Sequence, residues 1–332
     1  MLIPNDFLEC VCFLCVKETR GGADYFDYGG TAFIVSVPSE TQPKEHCYAY
    51  LVTAKHCIQD RSGVRRNLYV RLNKEDGTAE HLALPDNWLV PDDEAVDVAL
   101  MPFEPDSPPF AYKHIPMVSA ATDESIRWHY IGIGNDVFVS GLFTQRIGKQ
   151  RNQPIIRAGI ISSMRGELED ESSGQSYDAY LIELQSISGL SGSPVFALSR
   201  SQPVFLEKGP YSLLLLGLIR GHFDTTRRKE QRTDEPVRFS DDEWDRIHNG
   251  IAIVTPVQEI LKLLEREELV KHRKEKDKEL KQSLGHSQTL DSGFSESQPE
   301  SSANELTKEG FEVALKKVFP RPSESDSESD ET

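Results

Sequence analysis

The chain has 332 residues, 38% of them hydrophobic, which is enough apolar material for one large or two ordinary globular domains. Its 37 basic residues against 54 acidic ones, a formal net charge of −17, argue against a nucleic-acid surface, because such a surface needs clustered Lys and Arg to displace phosphate counterions. No segment reaches the ~20 apolar residues of a membrane span, and Asp6 and Glu9 interrupt MLIPNDFLECVCFLCV where a secretory leader would be apolar, so neither membrane nor export is expected.

In chain order, the first feature is a group of thiols. Five cysteines, Cys10, Cys12, Cys15, Cys47 and Cys57, are odd in number and lie in the first fifth of the chain, which does not describe a disulfide framework. They are expected to be reduced, in a cytoplasmic protein. Cys10, Cys12 and Cys15 lack a recognisable fourth ligand, and the alternation through Cys10, Cys12, Phe13 and Leu14 suits a buried strand, so no metal or other cofactor is expected.

From about residue 8 to 265, short runs rich in Val, Ile, Tyr and Phe are separated by Gly, Pro, Asn and Asp: TAFIVSV, AYLVTA, NLYVRL, DVALMPF, WHYIGIG, PIIRAGIIS, DAYLIEL, SPVFAL, SLLLLGLI and IAIVTP. The pattern is all-β, and more than eight strands in about 250 residues predict a pair of small barrels or a large sandwich. Prolines in MPFEPDSPPF (101–110) mark the connection between two halves, about 8–105 and 112–265. Residues 223–249 are charged, strand-poor and too long for an ordinary hairpin, and read as a surface insertion.

PVQEILKLL, from Pro256, begins an amphipathic helix with Val257, Ile260, Leu261 and Leu264 on one face, expected to close the domain 1–265. A charged helical extension, 266–282, follows. Residues 283–332 carry eleven acids against four bases and too little apolar content to offset ordering entropy, so this acidic tail is expected to be disordered. Within it Leu306, Phe311, Ala314, Leu315 and Val318 are spaced as a short helix, about 304–319, which would dock on a partner or on the body, or form only transiently.

The chemistry concentrates in SISGLSGSPVF (186–196). A serine nucleophile needs a tight turn that exposes its hydroxyl and aims backbone N–H groups at a developing oxyanion, a geometry that asks for Gly on both sides, and Gly189 and Gly192 flank Ser191. G-L-S-G-S-P resembles the G-x-S-G-[GS]-P nucleophile loop of trypsin-like serine proteases, especially the glutamyl endopeptidases. LVTAKHC (51–57) is similar to the L-T-A-A-H-C segment of that family, which makes His56 the general base, and GGTAFIV (29–35) resembles the preceding strand. Asp97, in VDVALMPF, resembles the family's D-[IV]-A-L strand and would hold the imidazole tautomer. Its rivals Asp92, Asp93 and Glu94 stand in a polar stretch, whereas Asp97 lies among apolar residues, where an unpaired charge is costly. The order His, Asp, Ser is that of chymotrypsin, and an α/β-hydrolase would need G-x-S-x-G and the order Ser, acid, His.

The resemblance covers about residues 25–265 and implies two six-stranded antiparallel β-barrels, chymotrypsin-like, with a C-terminal helix. It implies an oxyanion hole from the N–H groups of Gly189 and Ser191, peptide added as a strand along Arg220, Gly221 and His222, and a specificity pocket walled by Gln185 to Ser188, residues 220–222 and Gly250. No acid occupies the position, near Gln185, at which family members that prefer Lys or Arg carry one; Arg220 and His222 would favour an acidic side chain, whereas an Arg220 turned to solvent would leave a polar or small preference. Gly29 and Gly30 stand where the family's disulfide partner of Cys57 would be, so that bridge is absent. Leu190 replaces the Asp that a freed N-terminus engages in zymogen-activated members. The implied activity is a cofactor-free serine endopeptidase acting on a protein or peptide, regulated by its own tail or by a protein partner at the 304–319 helix or the 223–249 insertion. The alternative is a protease-fold binding or scaffold module in a larger assembly, whose function would survive Ser191→Ala.

Overall fold

A computed structural model describes residues 5–59, 67–105, 109–169, 174–184, 189–199, 212–228 and 244–290. After a one-turn helix α1 (Asp6–Glu9), the first half lays down strands β1 (Val11–Arg20), β2 (Ala23–Pro38) and β3 (Cys47–Thr53), a second short helix α2 (Lys55–Ile58), then β4 (Leu68–Asn73), β5 (Ala79–Ala83) and β6 (Ala99–Pro102). The linker β7 (Ile115–Pro116) and helix α3 (Asp123–Trp128) lead to the second half. That half contains β8 (Asp136–Gly141), β9 (Ile155–Glu169), β10 (Ser176–Glu183), β11 (Pro194–Ser199), β12 (Ser212–Arg228) and β13 (Trp244–Pro256), followed by helices α4 (Val257–Leu264) and α5 (Glu267–Leu290).

The architecture is the all-β, chymotrypsin-like arrangement of two antiparallel assemblies with a C-terminal helix. The second half is a closed six-stranded barrel, β10-β13-β12-β11-β8-β9. The first is a six-strand sheet in the order β5-β4-β1-β2-β3-β6, and β7 adds a short parallel pairing to β2, Val35↔Ile115. Residues between β5 and β6 return to the sheet through a single bridge, Leu89↔Leu100, instead of a full ladder.

Burial explains why these runs become strands. Val11 to Cys15 are buried without interruption, because one face of β1 fills the first sheet and the N-terminal end meets the second barrel, where the rings of Phe7 and Phe196 meet edge to face at 4.5 Å. β11 is likewise buried along its whole length. α4 buries Val257, Ile260, Leu263 and Leu264 as a helical stripe, with Leu261 packed at its margin.

One segment departs from the sequence reading, and the helical extension gains an attachment that the sequence does not announce. The segment read as strand-poor, 223–249, instead prolongs the β12–β13 ladder as far as Arg228↔Trp244; residues 229–243 lie outside the described residues. A polar ribbon has no apolar face, so it lacks the period-two signal, and continued backbone pairing is enough to extend a ladder already formed. The charged extension after α4 is helical, and it is attached to the body through its polar residues. Arg273 donates to the Tyr50 hydroxyl at 3.1 Å and to Leu264 O at 2.9 Å, and Asp277 accepts from the Ser39 hydroxyl and from Glu40 N–H. Leu269, Arg273 and Asp277, four residues apart, are the buried face of α5. The chain divides into Met1–Lys281 and Gln282–Thr332, a boundary inside α5, and the tail from 291, with its 304–319 segment, lies outside the described residues.

Candidate active site

β3 runs in extended conformation to Thr53, Ala54 continues it, and the chain then closes one helical turn, α2, with Cys57 N–H donating to Ala54 O at 3.0 Å. This switch from strand to helix turns His56 out of the sheet, and its side chain is 49% exposed. Asp97 arrives just ahead of β6, the strand paired to β3, with a side chain only 10% exposed. His56 Nδ1–H donates to Asp97 Oδ2 at 2.7 Å and the His56 backbone N–H donates to Oδ1 at 3.0 Å, so both carboxylate oxygens face one residue. The second barrel holds the same aspartate through Thr255 Oγ1, which donates to Asp97 O at 3.2 Å.

The two groups shift each other. Burial pushes the Asp97 carboxyl up, but the His56 hydrogen bonds and the nearby Arg220 cation outweigh it and hold it below the usual carboxylate range. Burial likewise opposes charge on His56, and the hydrogen bond and charge of Asp97 prevail, raising the imidazole above its ordinary value. The rival acids are otherwise engaged: Asp92 pairs with Arg266 at 2.9 Å, Asp93 Oδ1 accepts from Ala95 N–H at 2.9 Å, and Glu94 is exposed with its carbonyl taken by Lys55 Nζ at 2.7 Å.

Ser191 sits in the turn Gly189 to Pro194. Gly189 has φ +98°, and a Cβ there would lie 2.9 Å from Leu142 Cγ; Gly192 has φ +81°, and a Cβ there would lie 2.2 Å from Thr31 O. Neither position admits a side chain without displacing its neighbours. Leu190 is fully buried in the core. Among the described residues none accepts a hydrogen bond from the Gly189 or Ser191 N–H groups. The Ser191 hydroxyl makes no hydrogen bond among them either. His56 Nε2 instead faces Cys57 Sγ at 3.8 Å, and that thiol lies 3.8 Å from Ser191 O, between the two residues.

All five cysteines are free. A Cβ on Gly30 would be 2.8 Å from Cys57 Sγ, so Gly30 occupies the place of a bridging cysteine. Cys10, Cys12 and Cys15 are buried, and burial pushes the thiols of Cys10 and Cys15 up to about 12. Among the described residues no group of three or more His, Cys, Asp or Glu side chains is placed to hold a metal.

The substrate-side residues are only partly brought together. Gly221 and His222 pair with Ile253 and Ala252 of β13, whereas the β11 side of β12 ends at Pro194↔Leu218 and the Ile219 bonds to Gly192 and Ser193. Gly250, at φ +74°, accepts from Leu184 N–H at 2.7 Å. Gln185 and Ser188 lie outside the described residues. Arg220 Nη1 donates to Ala95 O at 2.6 Å and its guanidinium stacks 3.7 Å over the Tyr177 ring, which ties it to the loop leading to Asp97. A side chain long enough to reach a pocket also reaches a carbonyl acceptor and an aromatic face.

Sequence reasoning missed three buried threonines: Thr31 and Thr255 each make a hydrogen bond between the halves, and Thr53 ties β3 to Thr31 within the first sheet. The one available signal was a hydroxyl residue inside the apolar run GGTAFIV.

The fold and the positions of His56, Asp97 and the glycine-flanked serine define a trypsin-like serine protease fold. No protein-family model and no curated protein matches the chain. Among solved structures it is similar to the MamO protease domain from Magnetospirillum magneticum in its apo form, at 14% identity over 77% of this chain and 96% of that one, TM-score 0.41. It is similar to Deg5 at 14% identity over 78% and 88%, TM-score 0.44. A thermostable serine protease, AL20, from an extremophilic microorganism matches at 13% identity over 78% and 96%, TM-score 0.41.

Proposed function

We propose that the protein is a serine endopeptidase in which Ser191 attacks a peptide carbonyl, His56 moves the proton and Asp97 orients the ring. The observation that carries this reading is the buried Asp97 holding His56 by two hydrogen bonds, beside a serine whose turn tolerates only glycine at 189 and 192. In the reaction the Ser191 hydroxyl loses its proton to His56 Nε2 as its oxygen bonds the carbonyl carbon. The resulting oxyanion accepts from the Gly189 and Ser191 N–H groups. Collapse breaks the C–N bond, His56 returns the proton to the departing amine, and a water activated by the same imidazole hydrolyses the acyl-enzyme. Rotation of the Ser191 hydroxyl toward His56 belongs to substrate binding, since hydrogen bonds of this kind are often loose in the free enzyme.

Substrate would lie as an added strand beside Gly221, with its side chain directed toward Gly250. Free thiols throughout, and glycine in place of a bridging cysteine at position 30, support a reducing, cytoplasmic setting. Regulation would come from the 304–319 segment, the β12–β13 extension or the tail.

A second reading, a protease-fold binding module, is favoured by one observation: Cys57 Sγ, not the Ser191 hydroxyl, faces His56 Nε2. Labelling of the purified full chain with a fluorophosphonate separates the two. The endopeptidase reading expects labelling that disappears in Ser191→Ala and in His56→Ala; a folded wild type that remains unlabelled, alone and with its tail removed, favours the binding module.

A further inference from the structure

Three consecutive carbonyls of the nucleophile turn are tied down. Thr31 Oγ1 donates to Gly189 O at 2.8 Å, Ser193 N–H donates to Leu190 O at 2.9 Å, and Thr31 N–H donates to Ser191 O at 2.9 Å. Thr31 is therefore the partner at both ends of the set. Its side chain is fully buried, and its hydroxyl also accepts from Leu142 N–H at 2.9 Å. A hydroxyl has one proton to give; because Leu142 must donate, that proton is committed to Gly189 O and the rotor has a single setting. On the other side, Thr31 O accepts from Thr53 Oγ1 at 2.7 Å, at the end of the strand that delivers His56. One residue of the first sheet thus touches the nucleophile turn, the second barrel at Leu142 and the strand of the general base.

The consequence follows from peptide geometry. In a trans peptide the C=O and N–H point in opposite directions, so a pinned Leu190 carbonyl fixes the direction of the Ser191 N–H. Gly189, at φ +98°, is free to rotate about the bond to its carbonyl, and the Thr31 hydroxyl, by holding Gly189 O, fixes the Gly189–Leu190 peptide that lies between the two N–H groups. An apolar residue of the same shape at 31 would fill the space but leave the Gly189 carbonyl and the Leu142 N–H buried without partners.

We propose that the Thr31 hydroxyl is a positioning residue of the active site: it holds the turn in the conformation that presents the Gly189 and Ser191 N–H groups to the oxyanion. The inference rests on the endopeptidase reading and adds to it a residue that touches neither substrate nor the reacting atoms.

The test is the rate of fluorophosphonate labelling of the full chain as a function of probe concentration and pH, for wild type, Thr31→Val, Thr31→Ser and Ser191→Ala. Thr31→Val is expected to lower the maximal labelling rate at least about tenfold at an unchanged half-saturating probe concentration, less than the 10²–10³ of deleting an oxyanion donor outright. Thr31→Ser, which keeps the hydroxyl, should restore the rate to within about threefold, and the pH of half-maximal rate should not move, because His56 is untouched. Should Thr31→Val fail to fold by circular dichroism, Thr31→Ala replaces it in the same comparison with Thr31→Ser. Equal rates for the hydroxyl-free variant and wild type overturn the positioning role and leave the endopeptidase reading standing. A loss in Thr31→Ser as large as in the hydroxyl-free variant also overturns it, as the mark of packing alone. Absence of Ser191-dependent labelling in wild type removes both.

Discussion

The two halves of the site are held by different physics. His56 and Asp97, from the first sheet, are fixed by a charge-assisted pair that is half open to water, and each partner shifts the other's proton affinity. The Ser191 turn, in the second barrel, has no charged partner among the described residues: glycine backbone geometry, a buried Leu190 and neutral hydrogen bonds shape it. The first half should therefore respond to pH and to loss of charge, the second to loss of shape. A site whose His56–Asp97 pair and serine turn answer to separate variables can be dissected by substitutions that disturb one at a time.

The largest break is removal of the proposed nucleophile: Ser191→Ala should lower turnover by about 10⁶-fold with the fold intact, measured as hydrolysis of casein or of a peptide library. Retention of more than a thousandth of the activity would exclude Ser191 from the chemistry. Asp97→Asn comes next, at about 10⁴-fold, because it keeps the shape but loses the charge and the tautomer it enforces.

The same variant sharpens the comparison through pH. The proposed mechanism needs the neutral imidazole, and Asp97 raises His56, so the acid limb of the wild-type rate profile should lie above about 6.5, the ordinary value for His. Asp97→Asn should bring that limb down, whereas changes in the Ser191 turn should leave it in place. Linkage gives a stability window as well. The contribution of depressed Asp97 is present above its unfolded value of about 3.9 and is lost as pH falls through its folded one. That of raised His56 is complete below about 6.5 and is lost as pH rises through its folded value. The denaturation difference between wild type and Asp97→Asn should then be greatest near pH 5 and shrink toward both extremes; a difference independent of pH would mean that the pair contributes no charge interaction.

The second half breaks by shape. Gly192→Ala puts a Cβ 2.2 Å from Thr31 O at φ +81°, so it should cost about 2–4 kcal/mol in urea denaturation and sharply lower the rate of Ser191 labelling, the residual rate keeping the wild-type acid limb. A stable, active Gly192→Ala would show that the turn can relax without harm.

This division also describes what could be read from the sequence. The glycine-flanked serine, the histidine after a strand and the aspartate among apolar residues were legible because each states a local requirement: a left-handed turn, a strand end, a carboxylate in need of a partner. Contacts that depend on distant chain segments were not. Nothing local says that Thr31 will find Gly189 across the two halves, that Arg220 will turn to Ala95 and Tyr177, or that Asp277, in a run that reads as solvated charge, will meet the Ser39 turn. The β12–β13 extension was hidden for a related reason, since pairing along a polar ribbon leaves no trace in side-chain periodicity.

The mildest test concerns the seam between the halves, where Cys57 lies beside both His56 Nε2 and Ser191 O. Gly30→Cys would place its Cβ 3.4 Å from the Cβ of Cys57, at the short edge of the usual disulfide range. Under oxidising conditions a bridge should form between residues 30 and 57, detectable as the loss of two alkylatable thiols and as a dithiothreitol-reversible gain of about 3 kcal/mol in stability. The fixed Cys57 sulfur could then no longer compete for His56 Nε2. Activity should be kept or modestly raised, by no more than about the tenfold that 1.4 kcal/mol of ground-state competition is worth. A bridge that forms and abolishes Ser191 labelling would mean that the free Cys57 thiol, and its contact with His56, belongs to the working site.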